Sequence, residues 1–259
     1  MTRPSPRRPI AAALAAPLAS LATLAPLALL LLALPGAAPA PLGSGPVFSE
    51  PLAIDNPFMP FHPGGVKVYT GTSEGDKLVV VDLYREDTRT FQLDGNDVEC
   101  AILQETEFVD GAIDEISLNY FAQSDDGVVH YFGEVVDAYE DGAVVGHEGS
   151  WLVGGPTLPE DPPETATATV PGVFMPAQPA EGDSWKPEDL FPVVDETVTV
   201  LDDDVKFQVT AGKFEHGLKV GETSQLSEGT ELKWYAPGVG FAKSKEKGEK
   251  LQLIASTFD

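Results

Sequence analysis

The residues best able to do chemistry lie between Asn119 and Trp151, where "DDGVVHYFGEVVDAYEDG" (125 to 142) sets His130, Tyr131, Phe132 and Glu134 between two Asp-Gly pairs. An imidazole beside a carboxylate can share a proton or a transition metal, and His147 with Glu134 is the pair that reads that way. No third ligand stands nearby in the pattern, so such a site would bind weakly. Aromatic rings among amide, imidazole and carboxylate groups instead suit a binding surface, and Asn119, Phe121, His130, Phe132, Glu134, His147 and Trp151 make up the candidate set. Acidic runs at Asp125-Asp126 and Asp202-Asp203-Asp204 offer the oxygen donors calcium takes, although neither has EF-hand spacing.

Motifs of catalysis are weak. Gly71-Thr72-Ser73-Glu74-Gly75 matches the G-x-S-x-G elbow, but that elbow needs a following helix and "DKLVVVDLY" reads as a strand. Ser244 to Lys247 matches S-x-x-K with no supporting context. A glycosidase would need two facing carboxyls. Glu148 falls on the opposite face from Glu134, and Glu115 shares its face but lies along the strand, so no pair stands out. No catalytic residue is assigned.

The elements that must position these groups are strands. Asp94-Gly95, Asp110-Gly111, Asp126-Gly127 and Asp141-Gly142 recur at spacings of 16, 16 and 15 residues, and each suits a type I′ turn, which needs positive φ at both central positions. They predict a meander of strands near 83 to 93, 96 to 109, 112 to 125, 128 to 140 and 143 to 154. With two-residue loops, facing residues sum to 221, 253 and 283 in the last three hairpins. His130 then opposes Gln123, Phe132 opposes Phe121, Glu134 opposes Asn119 and His147 opposes Val136. One face collects Leu103, Ile116, Leu118, Tyr120, Ala122, Val129, Tyr131, Val135 and Leu152, a core face. The other carries the candidate set with Cys100, Ile102, Gln123 and Val136.

Beyond the meander, "GGPTLPEDPPETATATVPGVFMPAQPAEGDSWKPEDLFP" (155 to 192) is too rich in proline for regular pairing and reads as an excursion with a short strand at 166 to 170. Further hairpins follow to the C-terminus. The fold expected is all-β, an antiparallel meander with Asp-Gly hairpins curled into a barrel or β-sandwich, in a single domain over 41 to 259.

Residues 1 to 40 read as a secretory signal: Arg3, Arg7 and Arg8, an Ala/Leu-rich run from Ile10 to Leu34, then Ala38-Pro39-Ala40. Pro17 and Pro26 interrupt the run and disfavour an uncleaved anchor. The expected location is secreted or periplasmic, with no membrane span in the mature form. Removing the leader leaves 13 basic against 41 acidic residues, a net charge of −28. Such a surface repels nucleic acid and anionic lipid and favours cations. Cys100 is the single cysteine and is expected to be a buried thiol.

Several stretches, among them "DNPFMPFHPGGVKVYTG", "YFAQSDDGVVHYFGE", "EGSW", "FMPAQPAEGDSW", "VTAGKFEHGLKV" and "KWYAPGVGF", make the chain resemble an uncharacterised family of exported bacterial β-rich proteins over residues 55 to 243. The resemblance implies a secreted β-rich domain and carries over no catalytic residue. It also implies an aromatic ring at the position of His130 and a cysteine at that of Gly217, so that Cys100 has lost a disulfide partner. "KWYAPGVGF" is similar to endings of exported half-barrel proteins that carry or sense lipids, a likeness that a Pro-Gly turn between aromatic strands explains without a ligand.

The first functional expectation is a non-enzymatic binding or envelope-associated protein using the mixed face. The alternative is a metal-associated exported protein, with calcium on the hairpin tips or a transition metal at Glu134 and His147, and the third is a hydrolase of unknown type. No cofactor other than calcium is suggested.

Overall fold

The computed structural model describes residues 45 to 258. Every regular element among them is a strand: β1 (Val66–Ser73), β2 (Asp76–Leu93), β3 (Asn96–Val109), β4 (Ala112–Gln123), β5 (Val129–Glu140), β6 (Ala143–Gly146), β7 (Trp151–Val153), β8 (Ala166–Ala168), β9 (Gly172–Met175), β10 (Ser184–Leu190), β11 (Val194–Gln208), β12 (Lys213–Thr223), β13 (Glu231–Ala236), β14 (Gly240–Glu246) and β15 (Glu249–Ser256). The leader reading lies outside the described residues. Among those described, no helix is long and apolar enough to cross a membrane.

The strands form one sheet in the order β10-β11-β12-β13-β14-β15-β1-β2-β3-β4-β5-β7-β8, a nearly closed barrel. Its two halves join where β15 pairs antiparallel with β1. β9 pairs with the start of β5 and approaches the opposite end of the sheet at β10. The approach is close: a side chain at Gly172 would place its Cβ 1.8 Å from the carbonyl oxygen of Pro187. The excursion at 155 to 192 therefore does more than loop out. It contains the expected short strand, at Ala166–Ala168, and also β9 and β10, which bring the barrel's margins together. Pro187 is tolerated in β10 because it sits within the bulge between Trp185 and Glu188, where the ladder is already interrupted.

Three of the four Asp-Gly pairs turn as expected. Asp94, Asp110 and Asp141 have φ of 52°, 51° and 52°, and the glycine after each is also at positive φ. At the fourth, Gly127 alone is at positive φ (85°), and the connection widens to a loop in which Ser124 N–H donates to Val128 O. That loop shifts the register by one, so His130 opposes Ala122 and Tyr131, not Phe132, opposes Phe121. A bulge at Phe132 and Gly133 restores the expected register, and Asn119 opposes Glu134 as the spacing predicts. In the β3-β4 hairpin, Val109↔Ala112 and Phe108↔Ile113 keep the expected pairing. A bulge then slips the rest by one, so Leu103 faces Asn119, not Leu118. Because side chains alternate, each slip sends a residue to the other side of the sheet.

Gly133 is the hinge of this correction. It holds φ of 116°, and a Cβ there would fall 2.1 Å from Trp151 O in the facing strand. Gly133→Ala is expected to cost at least ~2 kcal/mol, seen as a melting temperature lower by ~5 °C or more in a thermal melt.

Candidate functional site: an acid-lined barrel interior

The expected candidate set divides between the two sides of the sheet. Asn119, Phe121, Glu134 and Trp151 share the barrel interior with Tyr131. Phe121 stacks on Tyr131 at 4.9 Å, Trp151 meets Tyr131 edge-on at 5.2 Å, and Tyr131 O–H donates to Asn119 Oδ1. Trp151 Nε1–H donates to Glu188 across the seam at 2.8 Å.

His130 and Phe132 lie on the outer side, beneath the segment that leads into β1. The His130 ring packs 5.3 Å from Phe48, and Phe132 packs against Phe48 and Phe91. His130 Nε2 lies 3.0 Å from Ser124 Oγ, and burial holds the imidazole below its ordinary pKa. His147 does not join Glu134: its Nδ1 lies 2.9 Å from Val136 O and 2.8 Å from Asp137 Oδ1. The acidic tips are engaged locally as well. Asp125 accepts from Ser49 N–H and O–H, Asp126 from Ser124 Oγ, Asp203 from Glu181 N–H, and Asp204 lies 2.6 Å from His216 Nδ1. Gly71 to Gly75 is a strand-turn-strand, since β1 ends at Ser73 and β2 begins at Asp76.

What composition and motif reading missed is inside the barrel. Strand alternation places Asp82 on β2, Glu105 and Glu107 on β3, Glu115 on β4 and Glu134 on β5 facing inward, in phase with Leu78, Val80, Leu103 and Phe121. From the other half come Glu188 on β10, Glu196 on β11, Glu222 on β12, Glu231 on β13 and Glu249 on β15. These ten carboxyls face two ammonium groups, Lys67 and Lys233, both buried. Lys233 pairs with Glu222 and lies 3.6 Å from Glu231. Lys67 donates to Tyr84 Oη at 2.6 Å and sits 4.3 Å above the Phe258 ring.

The groups interact across the lumen. Glu105 feels Glu134 and also Lys233 on the far wall, and Glu188 feels Glu134 on one side and Lys233 and Glu222 on the other. Full ionisation would leave a large uncompensated negative charge away from water, which costs far more than keeping protons on the acids. Burial first, and like charge second, raise Glu105, Glu115, Glu188 and Glu196 well above the usual carboxylate range. Burial, with Asp114 and Glu249 adding to it, lifts Glu107 to about 9, and burial with Glu231 and Glu246 lifts Glu249 to about 7. Lys67 moves the other way, to about 8, because burial outweighs the attraction of Asp82.

Where the acids line a cavity, it measures ≈ 30 Å³, bounded by Glu105, Glu107, Glu231, Ser244 and Glu249. Neither oxygen of Glu107, which is 1 % exposed, has a hydrogen-bond partner. A wider hollow of ≈ 340 Å³, with Phe214, Val239, Leu253 and Phe258 in its wall, carries neither carboxylate nor imidazole. Among the described residues, no three His, Cys, Asp or Glu side chains converge closely enough to hold a metal ion. Carboxyls raised in this way hold protons near neutral pH, and ≈ 30 Å³ gives no room for a sugar ring between them. No family model, curated protein or solved structure matches the chain.

Proposed function

We propose that the protein is an exported, non-enzymatic binding module whose barrel interior takes a small cationic ligand. The observation that carries this reading is the pairing, among the described residues, of ten inward carboxyls, seven of them buried, with two ammonium groups in one lumen. Buried acids in such excess are costly to folding, and a ligand that supplies positive charge and N–H donors relieves both the charge and the unfilled acceptors. The basic leader followed by the apolar run supports export, and the acidic surface suits cation-rich surroundings or an envelope-associated role.

Thermal melts at pH 6 and 8 against alkylammonium, guanidinium, calcium and magnesium salts, with neutral and anionic controls, test the reading. A cation is expected to raise the melting temperature, and more at pH 8, where fewer protons compete. If no cation shifts the melt at either pH, the reading fails. Calcium alone shifting it would favour a metal-associated protein.

A further inference from the structure

The interior already holds two ammonium groups of its own, in settings of the same composition. Lys233 is surrounded by Glu222 and Glu231, and Lys67 lies between a tyrosine hydroxyl and an aromatic face, with Asp82 as its nearby carboxylate. The ≈ 30 Å³ cavity has a similar composition and no lysine in its wall, although Lys233 lies 3.6 Å from its Glu231. Glu105, Glu107, Glu231 and Glu249 supply oxygens, Ser244 a hydroxyl, and Val80, Phe241 and Leu251 an apolar wall.

Glu107 points to an occupant independently of the cluster. It is 1 % exposed, borders the cavity, and has both oxygens without a hydrogen-bond donor. A buried polar group left without a partner is destabilising, and a bound donor recovers that loss. Glu105 is partly committed to Asp82, with which it shares a hydrogen bond, so Glu107 is the principal free acceptor.

We propose that this cavity is a subsite for the head of a primary alkylammonium group, its N–H donors taken by Glu107 and Glu249, with Glu231 shared with Lys233, and its aliphatic stem leaving past Val80, Leu251 and Phe241. The inference rests on the chamber being a cation site, as proposed above, and names the ligand's chemistry. An ammonium head is about the size of a water, which a space of this volume accommodates. Its hydrogen bonds also tolerate wider oxygen spacing than direct metal coordination does, in keeping with carboxyls that do not converge on one point. Phe241 adds an aromatic face, and three of the walls are apolar, so a bare hydrated ion would leave favourable contacts unmade.

Isothermal titration of the purified protein at pH 8 with n-butylammonium tests this, with tetramethylammonium, which has no N–H donor, and calcium as comparisons. The expected result is saturable n-butylammonium binding with proton release, read from the dependence of the heat on buffer ionisation enthalpy, and no comparable binding of tetramethylammonium. Glu107→Gln and, from another strand, Glu249→Gln should each weaken n-butylammonium at least tenfold while keeping the strand signature in far-UV circular dichroism. Binding that is unchanged in both variants overturns the subsite but leaves the chamber as a cation site. Equal affinity for tetramethylammonium, or calcium binding without n-butylammonium binding, overturns the ammonium assignment. Failure of every cation to bind the unmutated protein overturns both.

Discussion

Raising the pH from 5.5 to 8.5 is expected to lower the melting temperature by on the order of 10 °C, the reverse of ordinary acid denaturation. The cause is that Glu107 keeps its proton to about pH 9 in the folded chain, whereas an unfolded glutamate releases it near 4.5. A carboxyl raised on folding contributes stability that is fully present below its unfolded pKa and is lost as pH rises toward the folded value. Across three pH units Glu107 alone forfeits up to ~4 kcal/mol, or about 10 °C in a chain of this size. Glu249, raised to about 7, adds to the fall over the lower part of the window. The groups facing Glu107 reinforce the direction, since Glu115 on β4 and Glu105 beside it on β3 are also raised, with Asp114 and Glu249 adding like charge at Glu107 and Glu231 adding it at Glu249. Two groups oppose it at the ends of the range. His130, lowered by burial, loses stability as pH falls below its ordinary 6.5, and Lys67, lowered to about 8, gains only above that pH. Glu107→Gln, neutral at every pH and of the same shape, should flatten the profile and raise the melting temperature more at pH 8.5 than at 5.5. A profile that is level or rises over this range, measured by differential scanning calorimetry, contradicts the assignment.

Asp161→Ala is expected to cost ~3–5 kcal/mol, a fall of roughly 10 °C in melting temperature. Arg89 and Asp161 form a two-pronged pair at 2.7 and 2.8 Å, both side chains buried, on the outer side of the sheet. The guanidinium lies over both the Phe91 and Tyr120 rings, and Asp161 also accepts the N–H groups of Thr157 and Leu158. Burial raises the Asp161 carboxyl, but Arg89 and those N–H donors outweigh it and hold the group below the usual range. Its contribution is therefore present above the ordinary carboxylate pKa and lost only as pH falls through the depressed value, well away from the window that governs the interior. Removing Asp161 strands a buried cation and frees the proline-rich segment that the pair pins to the barrel. The double variant Arg89→Met with Asp161→Leu should recover most of the loss, because a buried pair replaced by apolar groups leaves no uncompensated charge. If the double variant is as unstable as the single one, the pair is not the cause.

The meander was legible because its turns are chemical signals: Asp94-Gly95, Asp110-Gly111 and Asp141-Gly142 adopt the conformations that their residue types favour. Register was legible only until a bulge. Nothing in the residue types marks the slip at Glu107 and Phe108, yet it places Glu115, Ser117 and Asn119 in the interior and leaves Ile116 and Leu118 half-exposed, opposite to what hydrophobicity suggests. For the same reason His130 and Glu134, expected on one face, occupy opposite sides of β5, with the Gly133 bulge between them. The interior acids did leave a trace. Leu78-Val80-Asp82-Tyr84, Leu103-Glu105-Glu107-Val109 and Leu218-Val220-Glu222 each carry carboxylates in phase with apolar residues, where a solvated carboxylate would fall out of phase. Closure was not legible, because β9 and β10 lie in a segment whose prolines argue against pairing, and only the bulge around Pro187 reconciles the two.

The central claim, that the barrel interior stores protons on buried carboxyls, is tested most directly by titrating the glutamate side-chain carboxyl carbons by ¹³C NMR in labelled protein. Glu107, assigned through its loss in Glu107→Gln, should remain protonated at pH 7 and titrate near 9, with Glu105, Glu115, Glu188 and Glu196 also protonated well above the ordinary range. If every glutamate resonance instead titrates near the ordinary value of 4.5, the interior is not the proton and cation chamber described here.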